Sequence, residues 1–121
     1  MARAFSGLQG RVSDPAVAQE YASAERFDKV RVGETGVFFP HGLSVKYLPY
    51  EAIERAFIRI HEVNAKLCCG KAVFQYFRLV FVRGGKEFID VISEDEAAMD
   101  AALTAIGEKS PQIAIGFPGK N

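Results

Sequence analysis

Two alternating apolar segments that match each other residue for residue constrain this chain most. Across residues 53–63, Ala56, Ile58 and Ile60 recur at every second position, and across 74–83 so do Phe77, Leu79 and Phe81. A period of two marks a strand with one buried face. Pairing Ile58 with Leu79 sets Ala56 opposite Phe81 and Ile60 opposite Phe77. A slip of one residue would turn every apolar side chain to the other face, so hydrophobic matching fixes the register. The same register puts the hairpin tip at Cys68-Cys69, within the turn-like stretch 64–71. Gly84-Gly85-Lys86 then reads as a three-residue hairpin loop, with glycine available for the left-handed position. It leads into a strand over 87–92, with Ile89 opposite Phe81 and Val91 opposite Leu79.

The flanking segments supply shorter signals. Residues 1–13 read as a loosely held tail. Asp14 followed by Pro15 is an N-cap and a first helical position, and Val17, Tyr21 and Ala24 follow at helical spacing, which predicts a helix over 15–24. From Lys29 the period becomes two. Lys29-Val30-Arg31-Val32, Val37-Phe38-Phe39 and the alternating Leu43, Val45 and Tyr47 form three short strands, separated by Gly33-Glu34-Thr35-Gly36 and Pro40-His41-Gly42. Pro49-Tyr50-Glu51 breaks the meander. Ser93-Glu94-Asp95-Glu96 is a capping box with Ser93 as N-cap, and Met99, Ala102, Leu103 and Ile106 make one apolar stripe. The predicted helix spans 93–107 and ends at Gly107 or in Lys109-Ser110-Pro111; 112–117 is a short extended segment packed back on the body. The expected organisation is a tail and short helix over 1–27, then a body over 28–121. Its class is α+β, mainly β: a strongly bent antiparallel sheet, or partly open barrel, of about six to seven short strands closed by the amphipathic C-terminal helix.

Val32-Gly33-Glu34-Thr35-Gly36-Val37-Phe38, Leu48-Pro49-Tyr50-Glu51-Ala52-Ile53-Glu54, the Phe-rich strand and Gly84-Gly85-Lys86 together resemble a bacterial pleckstrin-homology-like (PH-like) domain. The closing helix is similar to the one that caps that barrel. The resemblance covers about residues 28–107 and rests on order and pattern. It implies a binding or scaffolding role rather than catalysis, although fold does not fix function.

The chemistry legible in the residues is sparse. The 121 residues carry 15 Lys+Arg and 15 Asp+Glu, and this neutral balance argues against nucleic acid as a partner. No apolar run approaches the ~20 residues of a membrane span. Cys68 and Cys69 are the only cysteines; adjacent thiols with no export signal suit a reducing cytoplasm rather than a disulfide scaffold. Lipid-binding PH domains place cations around the loop joining their first strands. Here that loop, Gly33–Gly36, holds none, and Glu34 and Asp28 offset Lys29 and Arg31, so neither phosphoinositide nor stable membrane binding is expected. His41, His61, Cys68 and Cys69 lack metal-ligand spacing, so no metal or cofactor is expected. His61 lies ~20 Å from Cys69 along the hairpin, too far for a nucleophile and its base.

One face exceeds an ordinary solvated surface. Opposite the apolar face, the register collects Arg55, Phe57, Arg59 and His61, then Tyr76, Arg78, Val80 and Val82, then Phe88, Asp90 and Ile92. Arg59 falls directly opposite Arg78. Opposed like charges need a neutralising group, which is either Asp90 on the diagonal or an anionic partner. Arg55, Phe57, Arg59, Tyr76, Arg78, Val80 and Phe88 are therefore the candidate partner-binding residues, because aromatics interleaved with arginine suit an interface. Either the 15–24 helix or a second copy must cover the apolar area, and the helix stripe is narrow, so a homodimer is expected. The function expected is that of a non-catalytic binding or assembly module working through protein contacts. The alternative is a small-ligand-binding domain or enzyme with an interior pocket; the inward positions, all apolar, favour a filled core.

Overall fold

The long hairpin dominates the architecture. A computed structural model describes residues 5–7, 10–67 and 70–116. In it the two matched segments pair as the register requires: Ala56↔Phe81, Ile58↔Leu79, Ile60↔Phe77. The strands are longer than their apolar stretches, running Arg55–Leu67 and Gly70–Arg83. Small and polar residues that read as turn-formers continue the ladder as far as Leu67↔Gly70. Cross-strand pairing outweighs their weak strand propensity. The expected tip, Cys68-Cys69, lies outside the described residues.

In chain order the elements are β1 (Phe5–Gly7), β2 (Gly10–Val12), α1 (Pro15–Ser23), β3 (Glu25–Phe27), β4 (Val30–Val32), β5 (Gly36–His41) and β6 (Ser44–Pro49). After a 3-10 turn at Tyr50–Ala52 come β7 (Arg55–Leu67), β8 (Gly70–Arg83), β9 (Lys86–Ser93), α2 (Glu96–Lys109) and β10 (Ala114–Ile115). The class is α+β, mostly strand. The expected single bent sheet or partly open barrel is replaced by two sheets, ordered β2-β1-β6-β5-β4-β3 and β10-β7-β8-β9. The chain leaves one sheet for the other at Pro49-Tyr50-Glu51. There the Tyr50 N–H donates to the Thr35 carbonyl on the first sheet's side, and the Glu54 N–H to the Val82 carbonyl on the second's.

Three differences from the sequence reading have local causes. The segment expected as a tail supplies β1 and β2, because Phe5 is buried against Tyr21 and Phe38, with centroids 5.3 and 5.4 Å away. The C-terminal helix starts at Glu96, not Ser93. Asp95 is its N-cap and accepts the Ala98 N–H, while the Ser93 hydroxyl accepts the Asp95 N–H and donates to Asp28. Gly107 lies within the helix, which ends at Lys109, so of the two ends expected it is the Lys109-Ser110-Pro111 stretch that stops it. The loop after β8 has two residues, since Arg83 pairs with Lys86, and both Gly84 and Gly85 take positive φ, 63° and 76°. That is the backbone a tight two-residue hairpin needs.

The main core lies between the two sheets. From the first sheet come Val30, Val32, Val37, Phe39 and Leu48, from the second Ala56, Phe77, Leu79, Phe81 and Val91. Met99, Ala102 and Ile106 of α2 complete it, and Leu103 is only partly buried at its margin. Phe39 and Phe81 stack across the two sheets with centroids 5.8 Å apart. The helix predicted over 15–24 forms as Pro15–Ser23, with Asp14 accepting the Ala16 N–H at 2.9 Å. It packs through Tyr21 on the outer side of the six-stranded sheet, against Phe5 and Phe38.

Candidate interaction face

The second face of β7, β8 and β9 holds the residues expected to meet a partner. The ladder sets Arg55↔Val82, Phe57↔Val80, Arg59↔Arg78 and His61↔Tyr76. The opposed arginines are therefore real. Each is neutralised within the chain. Arg78 Nη1 donates to Asp90 Oδ2 at 2.7 Å, the diagonal pair the sequence offers as one alternative. Arg59 takes a two-pronged pair with Glu87, Nη1 donating to Oε1 at 3.0 Å and Nη2 to Oε2. The hydrogen bonds from Arg59 hold the Glu87 carboxyl below its ordinary range, and the Glu87 carboxylate in turn raises Arg59. Asp90 raises Arg78 in the same way.

A β-bulge explains why Glu87 escaped the sequence reading. Phe81 pairs with Ile89 but Val82 pairs with Glu87, so Phe88 is an extra residue on β9. Strict alternation puts Phe88 beside Val82, on the face that holds Phe57, and turns Glu87 to the other side. The bulge reverses both. Glu87 reaches Arg59, and Phe88 packs against the main core. Phe88 therefore leaves the candidate face.

The remaining apolar members are not open surface. Phe57 and Val80 are each 1% exposed and form a small separate cluster with Val82. The Arg59 guanidinium carbon stands 5.3 Å from the Phe57 ring centre. Arg55 Nη1 donates to the Gly116 carbonyl at 3.1 Å, and β10 pairs in parallel with β7 at Arg55 and Ala56. The segment after α2 is thus tied to this edge of the sheet. The α1 helix, offered as the intramolecular cover, sits on the other sheet instead. Tyr76 lies flat against His61, centroids 5.1 Å apart and planes 6° from parallel. Among the described residues, Ile60, on the core-facing side, Ile92 and Ile115 stay exposed near this hairpin.

The structure also shows what the hairpin does beyond the body. β9 ends with Ser93 opposite Phe77, and β10 covers β7 only at Arg55 and Ala56. Seven further pairs, from His61↔Tyr76 to Leu67↔Gly70, continue as a two-stranded ribbon. At strand rise this ribbon is roughly 20 Å long. No group of three or more His, Cys, Asp or Glu side chains that could hold a metal ion occurs among the described residues. Nor, among them, is any helix long and apolar enough to cross a membrane. Compared with known proteins, the chain matches no family model, no curated protein and no solved structure.

Proposed function

We propose that this chain is a non-catalytic, PH-like binding or assembly module of the cytoplasm that acts through protein–protein contacts, with a second copy of itself as one partner. The single observation that carries the reading is the ribbon of β7 and β8. Both its outer edges lack a strand partner among the described residues beyond Ala56 and Phe77. Isolated two-stranded ribbons are marginal in water, and unpaired edges template pairing with another chain. The ribbon's first pair beyond the body is His61↔Tyr76. Ile60, 56% exposed at its base, adds apolar surface. The PH-like part of the proposal rests on element order: a meander of β3 to β6, a second of β7 to β9, and a helix after them, packed on the core. The filled, apolar core favours contact surfaces over an interior ligand pocket.

Size-exclusion chromatography with light scattering tests the reading. Twice the chain mass of 13.3 kDa is expected at tens of micromolar, and Ile60→Lys should return it to one. Phe57 is unsuited to this test, since a charge at a buried position would unfold the chain. A single-chain mass at every concentration, with Ile60→Lys behaving identically, refutes self-assembly.

A further inference from the structure

The outer side of the six-stranded sheet carries a second pair of opposed arginines. β3 and β4 set Arg26 directly opposite Arg31, and β5 places Phe38 beside Arg31. On the four-stranded sheet the same arrangement is balanced by Glu87 and Asp90. Here neither guanidinium has an ion pair among the described residues. The acids that sequence proximity offers are engaged elsewhere. Glu34, expected to offset Arg31, pairs with Lys109. Asp28 accepts the Ser93 hydroxyl at 2.6 Å through Oδ2. Glu20 accepts from Thr35 and Gly36. Glu25 lines a different cleft, with Lys109 and Glu34.

Internal bonds hold both guanidinium groups in place without exhausting them. Arg26 Nε donates to the Asp28 carbonyl at 2.9 Å. Arg31 Nη1 donates to the Tyr21 carbonyl at 3.1 Å, near the end of α1, and its Cζ stands 4.2 Å from the Tyr21 ring centre. A guanidinium has five N–H donors, so four remain on each. Arg26, Lys29 and Arg31 line a cleft of about 310 Å³ together with Pro40, Val45 and Asp28, the last of which already takes the Ser93 hydroxyl. That volume is at the small end of ligand sites, and a few directional polar groups set against apolar walls are their usual make-up.

We propose that this cleft binds a small organic oxyanion, a phosphate monoester or a carboxylate joined to a ring or short hydrocarbon. Arg26 and Arg31 grip the oxyanion in the forked manner that arginine favours. Pro40 and Val45 take the apolar body, and Lys29, which donates to the Ile92 carbonyl at 2.9 Å, adds positive charge at the rim. The ligand neutralises the opposed pair as Glu87 and Asp90 neutralise the other. This inference goes beyond the protein-contact reading and uses a different surface.

The test titrates phenyl phosphate and benzoate into the whole protein at low ionic strength, followed by backbone amide NMR shifts. Phosphatidylcholine vesicles containing phosphatidic acid form a separate arm, because a lipid headgroup offers the same chemistry. Saturable shifts at Arg26, Arg31 and Phe38 are expected, with millimolar or tighter Kd. Arg26→Gln, at an exposed position, should weaken binding by about tenfold or more, whereas Arg59→Gln leaves it unchanged. Phenyl phosphate should also bind more tightly than inorganic phosphate, since only the former uses the apolar wall. Binding of the soluble probe without vesicle retention assigns a free metabolite; retention that phenyl phosphate displaces assigns a headgroup. No saturable shift from either soluble probe, or an affinity that Arg26→Gln leaves unaltered, overturns the proposal.

Discussion

Whether α2 closes the core is decided by comparing two truncations on that helix, Ile106→Ala and Leu103→Ala. Ile106 is fully buried with Met99 and Ala102, whereas Leu103 packs at the edge of the core and remains partly exposed. Each substitution removes three carbons, worth about 2.4 kcal/mol at ~0.8 kcal/mol per buried methylene. For Ile106 a cavity term adds to this. The position is enclosed by the core between the two sheets, and an unrelaxed ~50 Å³ adds about 1.2 kcal/mol at ~24 cal/mol per Å³. The better helix propensity of alanine returns a few tenths. The net expectation is a loss of about 3 kcal/mol at Ile106. Leu103 already keeps part of its surface in water and leaves no closed cavity, so about half the transfer term, roughly 1 kcal/mol, is expected there. A chain of this length has roughly 6–18 kcal/mol of total stability, so both variants should fold. Urea unfolding followed by far-UV circular dichroism measures the difference, provided the slope against urea is shared. A loss below about 1 kcal/mol at Ile106, or a larger loss at Leu103 than at Ile106, would refute the packing argued for α2.

Two further expectations rest on single geometric facts. A Cβ at Gly36 would stand 2.5 Å from the Leu48 carbonyl oxygen and 2.9 Å from Pro49 Cα, both backbone atoms of β6 that cannot yield without opening the ladder. Gly36→Ala should therefore cost about 1–3 kcal/mol or more by strain. Gly42→Ala meets open space but has a φ of 63°, so only about 1–2 kcal/mol is at stake, and a larger melting-temperature loss at Gly42 would contradict the account. The Glu87 carboxyl, held low by Arg59, contributes stability above the unfolded-state range of glutamate and loses it as pH falls through its own depressed midpoint. Carboxyl-carbon NMR should show that midpoint rising to the ordinary range in Arg59→Gln, and an unmoved midpoint would remove the pair as its cause.

The hairpin register was legible because two long apolar faces had to meet, and one alignment alone sets both on the same side of the sheet. The short strands were illegible for the complementary reason. β1, β2 and β3 have three residues each and β10 has two, too few to display a period. Their place depends on partners distant in the chain, such as Ser6↔Lys46 and Ala114↔Arg55. The start of α2 was misplaced because Ser93 and Asp95 are both good caps, two residues apart. The choice between them turns on Asp28, which takes the Ser93 hydroxyl from the far end of the other sheet. No local pattern carries that information.

The candidate face shows how one extra residue changes what a surface is for. Read with strict alternation, β9 adds a phenylalanine to a face that already holds opposed arginines, and the sum looks like an interface waiting for an acidic partner. The bulge at Phe88 removes the aromatic and supplies Glu87 in the same step. Apolar area and uncompensated charge therefore fall together, and this face no longer requires a partner on electrostatic grounds. The same reasoning, applied to Arg26 and Arg31, ends differently. There β3 and β4 pair without a bulge, Asp28 at the cleft takes the Ser93 hydroxyl without an ion pair to either arginine, and Glu34 serves Lys109. An opposed pair that the chain has neutralised is a structural device; one that it has left open beside a cleft is where an anion from outside gains most. The contrast between the two pairs is the ground for proposing anion binding on the sheet where the sequence reading did not place it, and it leaves the proposal of protein contact resting on the ribbon of β7 and β8.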